Sequence, residues 1–410
     1  MPEGQYGRVG RLYPKRPELI KKMSIVKGIM KAFHFVSTYS FWRMASLWTF
    51  ALIISYRKLR TQSTYTWKKS TYPRCAVSPL SPVASSSTSC ETSGRHLPIC
   101  IITGATSGLG AAAALALSKE GFFVILAGRS SRKLSKVMSD IRRKNKEAHL
   151  KSFKVDLSSF SSIMRFKEYL EKWLLDSDMH PSVQLLINNA GILATTSQLT
   201  DEGHDRMMGT NYIGPFCLTE ILLPLLKNSP VPSRIVNVAS FTHRNVSSFR
   251  PDREGVSGKR LSEFRNYPCA EIYEYSKLCV LLFSYELHRQ LHLTEGSQTI
   301  SVMAVDPGAV KTNLMREVPW FISQAAFVAL RFVGLLQSTR TGVSSTLDAA
   351  LAPPETSGLY FFGGKGRTVD SSALSYNLKL SRELWATSCD IFQDSLLIYN
   401  RDSVCSEKVD

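Results

Sequence analysis

Tyr273 and Lys277 are the residues whose types and spacing most directly suggest chemistry. They are four positions apart in a segment of helical periodicity, so their side chains share one face of a helix. A tyrosine hydroxyl has a pKa of about 10 in water, and a nearby ammonium group favours its ionised form. The pair therefore predicts a site that adds or removes a proton, although two such residues are more often surface neighbours.

Further polar side chains follow predicted β-strands. Ser240 stands after a strand at residues 234–238, and Asn189 stands after a strand at 183–187. Asn211 lies in the helical segment that comes next. Parallel sheets bind ligands at the carboxyl ends of their strands, so we expect these side chains to converge there. Ser240 would then hold a substrate oxygen whose proton Tyr273 exchanges, although a serine after a strand is usually a helix cap.

A glycine-rich segment, Thr-Gly-Ala-Thr-Ser-Gly-Leu-Gly at residues 103–110, follows the first predicted strand and precedes an alanine-rich helix. Glycines allow a tight turn and a close approach of backbone N–H groups to a pyrophosphate, which the helix N-terminus also attracts. The correct flanking elements make a plain turn the weaker interpretation. The residues predicted to bind a dinucleotide here are Gly104, Ser107, Gly108, Leu109 and Gly110.

The end of the second strand indicates which dinucleotide. An acidic residue about 20 positions beyond the glycines would bind the ribose 2′-hydroxyl of NAD, and none is present. Arg129 stands there instead, and a guanidinium group can pair with a 2′-phosphate, which favours NADP(H). The alternative is a solvated arginine in a basic stretch with Arg132 and Lys133. Asp156, after the third strand, is placed to meet the adenine, although its segment also suits a helix N-cap.

Short β-rich runs alternate with helical segments from residue 97 onward. This alternation predicts an α/β fold, a Rossmann-type doubly wound parallel sheet of about seven strands in a single domain at residues 97–395, with a tail at 396–410. The predicted strands are residues 99–102, 122–126, 150–155, 183–187, 234–238, 300–305 and 359–362, and the predicted helices include 109–119, 133–143, 161–175 and 272–291.

Together, T-G-x-x-x-G-x-G, N-N-A-G, Y-x-x-x-K and P-G in this order resemble the short-chain dehydrogenase/reductase family over residues 97–392. The resemblance implies that Ser240 orients the substrate, that Tyr273 and Lys277 are catalytic, and that Asn211 belongs to a proton relay. It also places Asn189 near the adenosine ribose and Thr312 at the nicotinamide carboxamide.

The 33-residue gap from Ser240 to Tyr273 and the wording around Lys277 resemble the retinol-dehydrogenase-like branch, including its polyprenol dehydrogenase type.

The net charge of +18 is concentrated in residues 1–99, where 16 Lys and Arg face three acidic residues. Residues 44–56 carry no charge, but a membrane-spanning helix needs about 20 apolar residues. The extension at residues 1–96, with a Ser-rich linker, therefore allows three interpretations: an uncleaved membrane anchor, which we favour, a cleaved transit peptide, or a disordered arm. The anchor predicts the endoplasmic reticulum with the domain facing the cytosol, and the transit peptide predicts another organelle.

Residues 321–336 are mostly apolar, and Gln324, Arg331 and the following Ser338 repeat every seven positions, which predicts one polar seam on a helix. Such a helix suits a lipophilic substrate or the membrane interface, or it packs against the sheet or a dimer partner.

The sequence thus predicts an NADP(H)-dependent oxidoreductase that interconverts a lipophilic alcohol, such as a retinoid, prenol or steroid, and its carbonyl. The alternative is a catalytically idle NADP(H)-binding redox sensor or scaffold. We expect membrane association through residues 44–56 and 321–336 and allow a homodimer, whereas neither nucleic acid nor a metal ion is expected, because no recognition module or ligand cluster accompanies the basic charge.

Overall fold

The structure is a computed structural model that describes residues 30, 39–61, 97–264, 266–295 and 300–406. The predicted Ser-rich linker lies outside the described residues. Seven parallel strands form one sheet in the order β3-β2-β1-β4-β5-β6-β9, which confirms the doubly wound prediction. The strands are β1 (Ile99–Thr103), β2 (Phe123–Gly128), β3 (Leu150–Lys154), β4 (Leu185–Asn188), β5 (Ser233–Val238), β6 (Ile300–Asp306) and β9 (Tyr360–Phe362), and β7 (Ala309–Val310) pairs with β8 (Leu336–Gln337) in a separate small sheet.

Helices cover the sheet on both faces, and the four predicted helices are present within three residues of their expected starts. The longer helices are α1 (Tyr39–Thr61), α2 (Gly108–Lys119), α3 (Ser131–Lys144), α4 (Phe160–Asp176), α6 (Gly214–Lys227), α9 (Cys269–Glu295), α10 (Trp320–Phe332), α11 (Thr339–Ala350) and α12 (Leu378–Ser406), and the short ones are α5 (Arg206–Met208), α7 (Arg253–Ser257) and α8 (Lys259–Ser262).

The core consists of two main apolar layers, one on each face of the sheet. Along β1, Ile99 and Ile101 belong to one layer, whereas Cys100 and Ile102 belong to the other. Successive side chains of a strand point to opposite faces, so a strand covered on both sides needs apolar residues at every position. The continuous Ile-Cys-Ile-Ile run of β1 meets this requirement, and all four residues are fully buried.

Helix α1 packs against the domain. Its residues Met44, Ala51, Leu52 and Leu59 are buried, whereas Phe50 on the other side is 61% exposed. Together with the buried Ser55, these positions recur at intervals of three, four and seven, as expected for one face of an amphipathic helix. Among the described residues, no helix combines the length and the apolar character that crossing a membrane requires.

Helix α10 departs from the prediction of one helix over residues 321–336. It ends at Phe332, because Gly334 takes a left-handed conformation with φ of +73° and the Leu335 N–H turns back to bond the Leu330 carbonyl. Ser338 is therefore not part of a seam on α10. It caps the next helix, α11, where its hydroxyl accepts a hydrogen bond from the Thr341 N–H.

The domain division at residues 97 and 395 stays a prediction. Helix α12 continues through residue 395 and ends at Ser406, and α1, within the predicted extension, shares the buried core through Leu59.

Candidate active site

The carboxyl ends of the central strands open into a cleft of about 620 Å³. One end is lined by the glycine-rich loop and Arg129, and the other by Ser240 and Tyr273. All the residues predicted from the sequence to bind the cofactor line this cleft. Of the four predicted catalytic residues, Ser240, Tyr273 and Lys277 line it directly, whereas Asn211 lies behind its wall.

The glycine-rich loop fits tightly between β1 and the turn after β4. Gly104 has φ of +67°, and a Cβ atom there would lie 2.8 Å from the Ala190 Cα. At Gly110 a Cβ atom would lie 2.6 Å from both the Gly104 carbonyl oxygen and the Asn189 Nδ2. Contacts this short leave no room for a side chain, so the loop needs glycine at both positions. Its backbone can therefore approach a pyrophosphate, and the N-terminus of α2 stands directly behind it.

Asn189 braces this loop. Its Nδ2 donates a hydrogen bond to the Thr103 carbonyl oxygen at 2.7 Å, and its backbone N–H and that of Ala190 both donate to the Thr103 hydroxyl at 3.0 Å. These bonds tie the end of β1 to the turn after β4. Asn189 also lines the cleft, and its proposed place near an adenosine ribose stays a prediction.

Thr312 closes the loop from the opposite side. A Cβ atom on Gly108 would lie 3.3 Å from the Thr312 Cβ and Cγ2. The Thr312 hydroxyl accepts a hydrogen bond from the Leu314 N–H at 3.3 Å and so caps the short 3-10 helix that follows. Thr312 also lines the cleft, and its contact with a nicotinamide carboxamide stays a prediction.

Two arginines lie at the far end of the cleft. Arg129 at the end of β2 is exposed and lines the cleft, as does the exposed Arg316. Burial lowers the pKa of Arg316, and the charge of Arg129 lowers it further, so the two cations repel one another. Such a pair is stabilised by an anion between them. Sequence reasoning missed Arg316, because it follows Arg129 by 187 positions and belongs to no motif.

Asp156 is engaged with its own turn. Its Oδ1 accepts hydrogen bonds from the Ser158 N–H at 3.0 Å and the Ser158 hydroxyl at 2.7 Å. The helix α4 that follows is capped by Ser159, so the capping interpretation holds for this segment. Asp156 lines the cleft as well, and contact with an adenine stays a prediction.

Tyr273 and Ser240 meet at the inner end of the cleft. Both are buried and both line the cleft. Burial raises the pKa of the Tyr273 hydroxyl above its ordinary value and the charge of Asp306 raises it further, whereas the Ser240 hydroxyl lowers it. Burial thus outweighs the influence of the nearby ammonium group that the sequence suggests. A hydroxyl that keeps its proton suits donation to a carbonyl oxygen.

Lys277 stands beside Tyr273 on α9. Its Nζ donates a hydrogen bond to the Val238 carbonyl oxygen at 2.8 Å and lies 5.8 Å from the centre of the Tyr273 ring. Burial lowers the pKa of Lys277 to about 8, and the opposing charge of Asp306 limits this fall. The ammonium group is therefore mostly retained at neutral pH. Asp306 was not predicted to act on this pair.

Asn211 lies in a π-helical turn, Gly209–Ile213, between α5 and α6. Its Oδ1 accepts from the Ile192 N–H at 2.8 Å, and its Nδ2 donates to the Ile192 carbonyl at 3.0 Å and the Ser276 hydroxyl at 3.1 Å. Such turns mark functional sites in many helices. A Cβ atom on Gly191 would lie 3.6 Å from both the Asn211 Oδ1 and the Lys277 Nζ, so both side chains approach Gly191, and the part of Asn211 in a proton relay stays a prediction.

The remaining wall near Tyr273 is apolar. It includes Phe241, Phe327 of α10, Leu330 and Trp48 of α1. Trp48 is the unexpected member, since the sequence places it in an anchor outside the domain. No motif signals its position.

The comparisons with known proteins agree with this geometry. The short chain dehydrogenase family model matches residues 98–250. Polyprenol dehydrogenase of Homo sapiens is 31% identical over 303 residues, which cover 72% of this chain and 84% of that protein. Retinol dehydrogenase 12 of Mus musculus is 32% identical over 296 residues, covering 72% and 85%. A solved structure of an uncharacterised protein from Mycobacterium paratuberculosis has 30% identity and a TM-score of 0.52, covering 72% and 96%.

The chain therefore belongs to the short-chain dehydrogenase/reductase family, whose members are oxidoreductases that use NAD(P)(H). Within that family it falls in the branch of the retinol and polyprenol dehydrogenases. The nicotinamide cofactor supplies the hydride acceptor or donor when bound. That Ser240 holds the substrate oxygen and that Tyr273 moves its proton stay predictions.

Proposed function

We propose that this protein is an NADP(H)-dependent oxidoreductase that interconverts a lipophilic alcohol and its carbonyl. The observation that carries the proposal is that the buried side chains of Ser240 and Tyr273 line one cleft together with an apolar wall. A polar reacting point in an apolar cleft orients a substrate that has one oxygen and a hydrocarbon body. The names of the relatives, retinol and polyprenol dehydrogenases, support the same substrate class.

The preference for NADP(H) rests on Arg129 and Arg316. The charge of Glu317 raises the pKa of Arg316, but Glu317 is itself paired with Arg206. A 2′-phosphate dianion would attract both guanidinium groups and offset their mutual repulsion, whereas the 2′-hydroxyl of NAD(H) carries no charge. This difference favours the phosphorylated cofactor.

The experiment that tests both points is cofactor consumption by the purified protein with a panel of long-chain aldehydes, retinal and steroid ketones. We expect NADPH to be consumed faster than NADH, and apolar carbonyls to be reduced faster than sugars or small keto acids. A protein that binds NADPH but reduces no member of the panel would instead be the idle sensor or scaffold. Faster NADH oxidation would overturn the cofactor assignment.

We also infer that the protein associates with a membrane surface through α1 and α10. The two helices meet at one apolar cluster, because Leu330 of α10 packs against the cluster formed by Ala51, Leu52 and Phe241. The side of the pair that faces away from the domain exposes large apolar side chains, which suit the boundary of headgroups and acyl chains. These residues are Trp42, Phe50, Ile53, Trp320, Phe321, Val328, Phe332 and Val333.

Flotation with vesicles tests this inference. We expect the full chain to float with vesicles, and the double variant Val328→Ser/Phe332→Ser to float less, with unchanged thermal stability because both side chains are exposed. A homodimer that buries this surface would appear instead as a doubled mass in solution that the double variant abolishes. The endoplasmic reticulum with the domain in the cytosol, or alternatively another organelle, remains our proposed location, and fractionation of cells that express the full chain tests it.

A further inference from the structure

Side chains in the first half of α1 form hydrogen bonds and ion pairs with α9, the helix that carries Tyr273. The Arg43 guanidinium bonds the Glu274 Oε2, with its NH2 at 3.3 Å, and its Nε lies 3.5 Å from the Glu271 Oε1. The Trp48 indole N–H donates to the Glu274 Oε1 at 2.7 Å, and the Asn245 amide donates to the same oxygen at 3.0 Å. The Glu274 side chain is 1% exposed, so these donors compensate a carboxylate taken out of water.

The C-terminal half of α1 also contacts the domain. The Ser55 hydroxyl accepts a hydrogen bond from the Arg244 Nε at 3.0 Å, and Tyr56 packs edge-on against Phe362 with ring centres 5.2 Å apart. The Tyr56 hydroxyl also accepts from the Gln337 side chain. Helix α1 is thus held at both ends across the substrate side of the cleft.

Between these two sets of contacts, Trp48 lies next to Tyr273. Its indole lies against the Tyr273 ring, with ring centres 5.5 Å apart and planes inclined at 40°. Trp48 lines the same cleft as Ser240 and Phe241. An aromatic side chain at this distance from the proton-donating ring occupies space that a substrate would otherwise use beside its oxygen-bearing carbon.

We propose that α1 is part of the active site and that Trp48 is a specificity-determining residue, which admits substrates that are narrow beside the reacting carbon. This inference rests on the proposed oxidoreductase function and specifies the substrate class. The indole restricts the width of the cleft at Tyr273, whereas the more distant wall is made of α10 side chains. A linear or terminal alcohol on a long hydrocarbon fits this shape, and a carbonyl within a fused ring does not.

The test compares two carbonyl substrates in the full chain and in Trp48→Ala. Dodecanal is narrow beside its carbonyl, and decalone carries it within a fused ring. We expect the wild type to prefer dodecanal, and the ratio of the two kcat/KM values to shift toward decalone by about tenfold or more in Trp48→Ala, because a specificity pocket discriminates by this order when its volume changes. An unchanged ratio would overturn the proposal.

A readout without turnover separates this proposal from the proposed function. Binding of both carbonyls to the protein saturated with NADP⁺ yields a ratio of Kd values, which we expect to shift in the same direction. If the wild type turns over neither compound, the proposed function fails, while the shift in the Kd ratio still decides the role of Trp48. If wild type and variant both turn over the substrates with the same ratio of kcat/KM values, the proposed role of Trp48 is wrong, whereas the proposed function stands.

Two further variants keep the test interpretable. Trp48→Phe retains a ring but removes the N–H that bonds Glu274, so we expect it to stay close to wild type in substrate ratio even if its stability falls. Phe50→Ala lies on the same helix but is 61% exposed and does not line the cleft, so the ratio should not change. If Trp48→Ala does not fold, Trp48→Leu provides the smaller side chain, and an unaltered ratio in that variant counts against the proposal.

Discussion

The two halves of the cleft are built in different ways. The cofactor half consists of short turns that directly follow strands, held by hydrogen bonds such as those from the Asn189 and Ala190 N–H groups to the Thr103 hydroxyl. The substrate half is assembled from side chains of α1, the start of α9 and α10, which are far apart in sequence. The first half is therefore determined by local motifs, whereas the second depends on how separate helices pack.

This difference predicts different responses to substitution. The cofactor half cannot accommodate an added side chain, because backbone atoms surround the position and the strand ends cannot move apart. In the substrate half a truncated side chain leaves space that another substrate can fill. Changes to the first half should weaken cofactor binding, and changes to the second should alter which substrate is preferred.

The largest effect is expected where the two halves meet. Replacing Tyr273 by Phe removes the proton donor but leaves the ring that packs on Trp48, so turnover should fall by about a thousandfold. NADPH binding, measured by fluorescence titration, should stay within a few fold of the wild type. Tyr275→Phe is the matched control, since Tyr275 packs on Phe249 instead. Turnover within tenfold of wild type in Tyr273→Phe would contradict the assigned role.

A side chain in the glycine-rich loop should act on cofactor binding alone. Gly110→Val would place atoms within 2.6 Å of the Gly104 carbonyl oxygen, and relief of such overpacking costs about 1–3 kcal/mol. We expect NADPH affinity to fall by about a hundredfold at the upper end of that cost, with the substrate preference of the remaining activity unaltered. Titration of NADPH measures the first result, and a changed dodecanal to decalone ratio would argue against independent halves.

The arginines at the far end of the cleft should set the choice between cofactors. Arg129→Ala and Arg316→Ala should each lower the preference for NADPH over NADH by about tenfold, because each removes one charge-assisted contact to the 2′-phosphate. Steady-state kinetics with both cofactors measures the ratio. Arg132→Ala is the control, since Arg132 is exposed but does not line the cleft. Equal ratios in all three variants would remove the basis for the NADP(H) assignment.

The smallest expected effect concerns pH. Reduction needs the Lys277 ammonium, whose pKa burial lowers to about 8, so kcat/KM should decline by a few fold as pH rises through that value. The charge of Asp306 raises this pKa, and Asp306→Asn should therefore move the decline to lower pH. A pH profile of both proteins with NADPH and dodecanal checks this sign. A decline that moves to higher pH in the variant would contradict the electrostatic argument.

The sequence predicted the cofactor half well, and the reasons are local. Strand, glycine turn and helix are adjacent in the chain, so the pattern around Gly104 and Gly110 specifies their arrangement. The Tyr273 and Lys277 pair was equally accessible, because helical spacing alone places both on one face. The seven strands were also predictable, since buried parallel strands give continuous apolar runs.

The substrate half was less accessible. Residues 44–56 carry no charge, and the sequence does not reveal that Met44 and Leu52 turn inward while Phe50 turns outward, because the partner surface is formed by distant segments. Arg316 and Asp306 were missed as functional neighbours for the same reason. The early end of α10 was the exception, because it has a local cause. Gly334 indicates the end of a helix, but the apolar pattern of residues 321–336 predicted a longer one.

The hydrogen bond between Trp48 and Glu274 joins residues 226 positions apart, which has a consequence for the growing chain. During synthesis α1 leaves the ribosome long before the helix with Glu274 exists. Its inward side, with Ala51 and Leu52, must remain without its final contacts, or rest on a lipid surface or a chaperone, until α9 has been made. Helix α1, although it is made before the rest of the domain, would then be among the last elements to reach its final position. The substrate side of the cleft would become complete only at that moment.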